Sequence, residues 1–342
     1  KALKMEYSGF KTNSFKISIF NSKWNDLELK DRMHHITQEI NNHLPFEYKE
    51  QINIIDKIVI QFNGLTAIIF PNFIEKYGID DYETSIKAIE LYTQFSTSEF
   101  AIRPFIIKYP TKTMAKMLDW SIHKSHHTRR LASEGCRPLL PWAMKLQNMV
   151  EDPSLIIPIL ENLKDDQEDY VYRSVANNLN DISKNQPDLV ISLCKKWNKE
   201  ASVNTPWLIK HALRTLLKKG NLEAMKMFGF GDVTGIKINQ LIIDKPLIKI
   251  GESTYFNLNI TNHSKTAKYR LEYTIMYFKK NGKRNPKVFQ LRETQIGVNE
   301  SIDIKKKLTF TDFSTRKHYA GEHFLILKVN GIEMKTIGFD LI

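Results

Sequence analysis

From about Asp26 to Met227, apolar residues recur three and four positions apart in long segments, broken by short stretches containing Pro, Asn or Asp. That spacing predicts a succession of amphipathic helices. Past Gly229 the period shortens to two. Runs such as Tyr255–Thr261, Tyr269–Phe278 and His323–Val329 alternate and are rich in β-branched and aromatic residues, with Asn281-Gly282 and Asn330-Gly331 between runs as turn signals. The expected architecture is therefore α+β and multidomain. A segment at 1–25 precedes an all-helical domain at 26–229, and an all-β sandwich follows at 235–342.

Within the helical part, small residues at Ala88, Ala132, Ala176 and Ala212 mark segments spaced by roughly 36 to 44 residues, as in paired-helix solenoid repeats of the HEAT and armadillo kind. An irregular helical bundle would read similarly from periodicity alone. Charge separates the two parts further. The chain has 50 Lys and Arg against 38 Asp and Glu, a net +12, and the part from Gly235 onward holds 19 basic and 10 acidic residues, so +9 of the excess lies there. This balance favours a polyanionic partner, nucleic acid before membrane. With 42% hydrophobic and 11% aromatic residues the chain can bury a core, which excludes disorder as its main character. Its longest apolar stretches are broken well short of the roughly 20 residues that span a bilayer, so no membrane partner is expected. Two cysteines, Cys136 and Cys194, without a CxxC pair fit a reducing compartment, with the cytosol as the expected location.

Three segments gather charge in ways that bear on chemistry. In Thr128-Arg-Arg-Leu-Ala-Ser-Glu-Gly-Cys-Arg-Pro-Leu-Leu-Pro-Trp142, Arg130 and Glu134 share a helix face, and Pro138 and Pro141 end the helix just before an indole. In Tyr172–Asp181, Arg173, Asn177 and Asp181 follow at i+4 steps. Thr97–Pro104 supplies Glu99 and Arg103 before a proline expected to break a helix. Each alone reads as a solvated ion pair or a cap. Together, carboxylates beside a tryptophan and ringed by arginines suit a cationic group carried on a polyanion. An alkylated nucleobase in DNA is one, and its glycosidic bond is already weakened, so negative charge near the developing oxocarbenium and an oriented water would suffice. His123, His126 and His127 lack the companions of a zinc site, so no metal and no cofactor are expected; phosphate contact is the preferred role for them. No Walker, GxGxxG or GxSxG motif occurs.

These segments, with Trp207–Gly220, resemble the HEAT-like repeat DNA glycosylases that excise alkylated bases, in their AlkC branch, over most of Asp26–Gly229. Some members of that branch carry a C-terminal immunoglobulin-like domain, which the β-rich part here resembles in length, position and charge. The resemblance implies a monofunctional glycosylase acting on cationic lesions such as 3-methyladenine and 3-methylcytosine in double-stranded DNA without deep base flipping. It implies a monomer of the bacterial cytosol or nucleoid. By the same resemblance Glu134 is the principal catalytic carboxylate, Glu99 and Asp181 are its partners, and Trp142 is an aromatic wall for base and sugar. Arg129, Arg130, Arg137, Arg173, Lys210 and Arg214 are candidates for phosphate contact. In the β part the cluster of Lys279, Lys280, Lys283, Arg284 and Lys287 around the Asn281-Gly282 turn, with the Lys305–Lys307 run, suggests a loop or edge that tracks the backbone. The competing expectation is a non-catalytic HEAT-type scaffold that binds nucleic acid or protein. It gives no reason for three carboxylates on a phosphate-binding face.

Overall fold

The computed structural model describes residues 1–200, 202–313 and 317–342, and they form two compact units, Lys1–Ala212 and Leu213–Ile342. The first is all helical. It begins with α1 (Ala2–Glu6) and α2 (Thr12–Ile19), continues through α3 (Leu29–His43), α4 (Tyr48–Val59), α5 (Gly64–Ala67), α6 (Ile69–Tyr77) and α7 (Tyr82–Tyr92), and then reaches the short helices α8 (Arg103–Lys108) and α9 (Pro110–Trp120). The remaining helices are α10 (His126–Gly135), α11 (Gln147–Glu151), α12 (Ile157–Leu163), α13 (Asp169–Ile182), α14 (Pro187–Lys199) and α15 (Thr205–Ala212).

Local chemistry sets several of these boundaries. Asp81 caps α7 by accepting from the Thr84 amide, and Pro110 and Pro187 open α9 and α14 in the first turn, where a missing amide hydrogen costs nothing. Pro104 does the same in α8. It therefore starts a helix instead of breaking one, which corrects the reading of Thr97–Pro104. The four small residues of the repeat pattern fall on α7, α10, α13 and α15, and all four are buried. They let neighbouring helices approach, and α10 packs on α13 and α13 on α15. Gly135 serves the same end at the close of α10: a Cβ there would lie 2.6 Å from the Ile102 side chain and 3.2 Å from that of Met117.

Residues 1–25 are not a separate segment, because α1 packs on α4 and α2 on α3 inside the first unit. The break between units also comes earlier than the change of hydrophobic period suggests. The second unit begins with α16 (Arg214–Lys218) and α17 (Leu222–Met227), ahead of the strands. Two small residues explain this. Gly220 and Gly331 approach so closely that a Cβ on Gly331 would sit 2.1 Å from the Gly220 Cα, and Asn330 donates to the Gly231 carbonyl at 2.7 Å. Both contacts fasten the end of the helical text to the β7–β8 turn, so α16 and α17 belong with the sheets.

Those sheets are β1 (Ile236–Ile243), β3 (Ser253–Asn262) and β6 (Ser301–Thr309) in order β1-β3-β6, and a five-stranded sheet in order β2-β8-β7-β4-β5. The latter comprises β2 (Leu247–Ile248), β4 (Ala267–Phe278), β5 (Arg284–Ile296), β7 (Gly321–Val329) and β8 (Ile332–Leu341). Alternating residues such as Phe256, Leu258, Ile260, Leu271, Ile275, Leu325 and Leu327 fill one core. The expected Asn-Gly turns join β4 to β5 and β7 to β8, with Gly282 at φ 74° and Asn330 and Gly331 at φ 49° and 77°. Successive left-handed residues are what a tight hairpin needs.

Candidate active site

Where α10 meets α13, the seam is polar although it is buried. Ser133, Glu134, Ser174, Asn178 and Asp181 are all buried, and each side chain makes at least one hydrogen bond, although Asn178 Oδ1 accepts none among the described residues. The Asn178 amide donates to the Ser133 carbonyl at 2.8 Å, and the Ser174 hydroxyl donates to Glu134 Oε2 at 2.6 Å while accepting from Ser133. A buried polar seam of this kind is costly unless complete, and it fixes the register of the two helices.

Glu134 and Asp181, in the last turns of α10 and α13, do not touch each other. Arg137 lies between them, donating from Nη1 to Glu134 Oε1 at 2.7 Å and from Nε to Asp181 Oδ2 at 2.9 Å. Burial alone would depress its guanidinium, but the two carboxylates outweigh burial and raise its pKa. On the other side of Glu134, Arg130 Nη2 stands 3.4 Å from Oε1 while its Nη1 donates to Glu99 Oε2 and to Thr97 Oγ1. Lys184 closes the far end by donating to Asp181 Oδ1 at 3.0 Å. The result is an alternating ladder of Glu99, Arg130, Glu134, Arg137, Asp181 and Lys184. The three carboxylates expected from sequence are thus brought together, through two arginines that hold them apart.

The ladder is open at one end only. Glu134 and Asp181 are 6% and 3% exposed, and hydrogen bonds reach both oxygens of each. Glu99 differs: among the described residues its Oε2 accepts from Arg130 and Thr97 while Oε1 accepts from nothing, and its side chain lines an open, apolar pocket of about 530 Å³. Trp24, Leu29, Met33, Ile68, Phe100 and Trp142 supply that pocket's apolar wall. Trp142 stands at the rim, 80% exposed, in a left-handed conformation with φ 62°. A second pocket of similar size abuts it through shared Leu65, Ile68 and Thr97, and is lined by His127, Arg130 and Tyr170. Tyr170 stacks under the Arg130 guanidinium, 4.7 Å from ring centroid to Cζ. Burial raises the Tyr170 pKa, and burial, then His126, lowers that of His127.

Apart from Arg130, which the ladder engages, the basic residues expected to meet phosphates fall into three groups. Arg129 and Arg137 are placed otherwise: Arg129 holds Asp166 through two bonds of 2.6 and 3.1 Å and donates to the carbonyls of His123 and Lys124, and Arg137 is buried in the ladder. Their donors brace the protein. Arg173 is exposed on α13, paired with Asp169 and lying 5.1 Å over the Trp207 ring, while Lys210 is exposed on α15. Arg214 belongs to the second unit, as do Lys280 and Lys283, exposed at the β4–β5 turn, and Arg284, which pairs with Glu322 at 2.7 Å. Cys136 is fully buried and burial pushes its thiol up to about 12, so it packs as a neutral group. Among the described residues no group of three or more His, Cys, Asp or Glu side chains is arranged to hold a metal ion, and no helix is long and apolar enough to cross a membrane.

Several contributors carry no sequence signal of their own. Ser174 and Tyr170 look like ordinary surface or cap residues in a helix, and Lys30, which donates to the Trp142 carbonyl, is 112 residues away from it. Trp207 forms a half-exposed stack, parallel to the His211 ring at 4.7 Å and edge-on to Tyr172 at 5.3 Å. Its place in the Trp207–Gly220 segment was the available hint.

The chain thus joins, in sequence, an all-helical unit that holds a carboxylate–arginine ladder to a basic β-sandwich, and known proteins share that two-part architecture. Residues 73–216 match the family model described as "DNA alkylation repair enzyme", and residues 237–342 match "Uncharacterised protein YhaZ, C-terminal Ig-like domain". A Bacillus subtilis (strain 168) relative described as "Uncharacterized protein YhaZ" is 42% identical, over 99% of this chain and 94% of its own length. The Pseudomonas fluorescens alkylpurine DNA glycosylase AlkC, solved bound to DNA containing an abasic site analog, is 33% identical with a TM-score of 0.93, covering 100% of this chain and 95% of that one. The chain belongs to the DNA alkylation repair enzymes and is an AlkC-like DNA glycosylase with an immunoglobulin-like domain.

Proposed function

We propose that this glycosylase hydrolyses the N-glycosidic bond of cationic alkylated bases, 3-methyladenine and 3-methylcytosine among them, in double-stranded DNA. The observation that carries this reading is Glu99 Oε1, the ladder's carboxylate oxygen that accepts no hydrogen bond among the described residues, on a side chain that lines the pocket Trp142 borders. A positively charged base needs no protonation to leave. What the transition state needs is negative charge near C1′ of the deoxyribose as it becomes oxocarbenium-like, and a carboxylate to orient the attacking water. In this reading Glu99 meets the lesion and the water. Glu134 and Asp181 act through the arginines, fixing Arg130 and hence the Glu99 carboxylate.

This exchanges the roles of Glu134 and Glu99 relative to the sequence-based expectation. The reason is access: Glu134 is 6% exposed and both its oxygens already accept hydrogen bonds, whereas the Glu99 side chain lines an open pocket and, among the described residues, its Oε1 accepts none. The tightly filled seam leaves no space for a base between Glu134 and Asp181, which supports attack on a lesion presented at the surface without deep flipping. Trp142 offers a face for the cationic base or the exposed sugar. Of the basic residues expected to meet phosphates, Arg173, Lys210, Lys280, Lys283 and Arg284 are exposed, and the sandwich contributes grip through its excess of positive charge.

The test is base release from duplex DNA bearing cationic methylated bases, with freed bases identified by mass. Wild type should liberate 3-methyladenine or 3-methylcytosine. Glu99→Gln should bind the same DNA while base release falls by about 10²-fold or more, in the range for loss of one preorganised electrostatic group. Tight binding without any base release by the wild type would favour the scaffold reading instead.

A further inference from the structure

Residues 136–146, which link α10 to α11, are held from two sides. Arg103, fully buried at the start of α8, donates to the carbonyls of Gly135, Arg137 and Met144, each at 2.9 Å, and so closes the two ends of the segment. At its tip stands Trp142, with φ 62°. A left-handed conformation costs a residue with a Cβ roughly 1–2 kcal/mol, and it persists only where the surroundings enforce it. Glycine or asparagine would adopt it at less cost, so the indole itself accounts for the choice. Lys30, in the first turn of α3, supplies the enforcement. Its ammonium donates to the Trp142 carbonyl at 2.7 Å and lies 4.8 Å from the ring centroid of Phe100, the neighbour of Glu99 in sequence. One cation therefore touches both the residue that presents the indole and the residue adjoining the accessible carboxylate. Lys30, Glu99, Phe100 and Trp142 all line the same pocket.

We propose that Lys30 is a positioning residue, whose ammonium holds Trp142 in its left-handed conformation and thereby fixes the indole at the rim of the pocket that Glu99 lines. What the indole does there rests on the glycosylase reading above; whether the latch exists does not. The alternative for a lysine beside a DNA-binding site is a direct phosphate contact, and the two make different predictions. A phosphate contact acts on affinity in a salt-dependent way, uniformly over damaged and undamaged DNA. A latch acts on the rate of the chemical step and on the indole's environment.

Lys30→Met keeps the apolar stem and removes the donor, Lys30→Gln does so with a polar end, and Lys30→Arg keeps both charge and donor. The full chain is labelled with 5-fluorotryptophan, and the Trp142 resonance is identified by its absence in Trp142→Ala. Loss of the latch should shift or broaden that resonance and leave the other four of the five indoles in place. Single-turnover base release should fall by about 10- to 100-fold, the cost of misplacing a group by an ångström or so. Affinity for undamaged duplex should hold at low and high salt alike. Lys30→Arg should restore both signals, and Lys30→Met should add nothing in a Trp142→Ala background. An unmoved Trp142 resonance in both Met and Gln variants overturns the proposal, as do additive losses in the double variant or a defect confined to salt-dependent affinity. Absence of base release by the wild type would sink the glycosylase reading alone, since the fluorine spectra still decide whether Lys30 holds Trp142.

Discussion

Arg137→Met tests the ladder most directly. Methionine preserves much of the apolar stem, so the change removes a buried guanidinium and leaves Glu134 and Asp181 facing the gap without it. Breaking a buried ion pair from one side typically costs about 3–5 kcal/mol, because the remaining charge stays buried. Two carboxylates lose their partner here, one under a 6% and the other under a 3% exposed residue, while Ser174 and Lys184 still serve them. The upper part of that range is therefore expected. For a unit of this size each kcal/mol lowers the melting temperature by about 2–4 °C, so about 4–5 kcal/mol corresponds to a fall of roughly 8–20 °C. Differential scanning calorimetry on wild type, Arg137→Met and the triple variant Arg137→Met/Glu134→Gln/Asp181→Asn separates charge from packing. If uncompensated charge dominates, the triple variant melts well above the single one. A single variant that melts within 2–3 °C of wild type, or a triple variant no better than the single, would refute the view that Arg137 neutralises these two groups.

Gly135→Ala should destabilise the helical unit by about 1–3 kcal/mol, as overpacking does, because its Cβ would fall 2.6 Å from Ile102; thermal melts measure it. Replacing Lys280 and Lys283 together by Gln should weaken binding to any duplex equally and reduce the slope of log affinity against log salt by about 2, whereas an unchanged slope would remove the β4–β5 turn from the DNA grip.

The large features of this fold are legible in sequence because each rests on a local rule. The change from helical to alternating period near Gly229, the Asn-Gly turns, and the end of α10 at Gly135 ahead of Pro138 all follow from a residue and its near neighbours. The i+4 spacing likewise placed Arg130 with Glu134 on one helix face. What sequence could not supply is where a long side chain ends. Arg129, Arg130 and Arg137 look alike in the motif, yet one braces Asp166, one bridges Glu99 to Glu134, and one is swallowed between Glu134 and Asp181. Glu134 is near in sequence, but Asp166, Glu99 and Asp181 lie 37, 31 and 44 residues away, so only tertiary packing decides which arginine meets which. The start of the second unit at Leu213 was hidden for the same reason, because it depends on Gly220 meeting Gly331 across the β7–β8 turn.

The ladder also answers the objection that carboxylates should not line a face meant for phosphates. Glu99, Glu134 and Asp181 contribute three negative charges, and Arg130, Arg137 and Lys184 return three positive ones within hydrogen-bonding or ion-pair distance. Summed over a few ångströms the site is neutral, so the DNA backbone meets little repulsion from it at the distances where the basic residues act. At contact range the neutrality disappears, since among the described residues Glu99 Oε1 is the ladder's carboxylate oxygen left without a donor. An ordinary neutral base brings nothing to pair with that oxygen, whereas a methylated base brings a positive charge that strengthens toward the sugar as the bond breaks. Discrimination would then come from the charge of the lesion itself. The neutral isostere 3-deaza-3-methyladenine, which keeps the methyl group but carries no charge, should bind with the affinity of undamaged DNA and remain uncleaved.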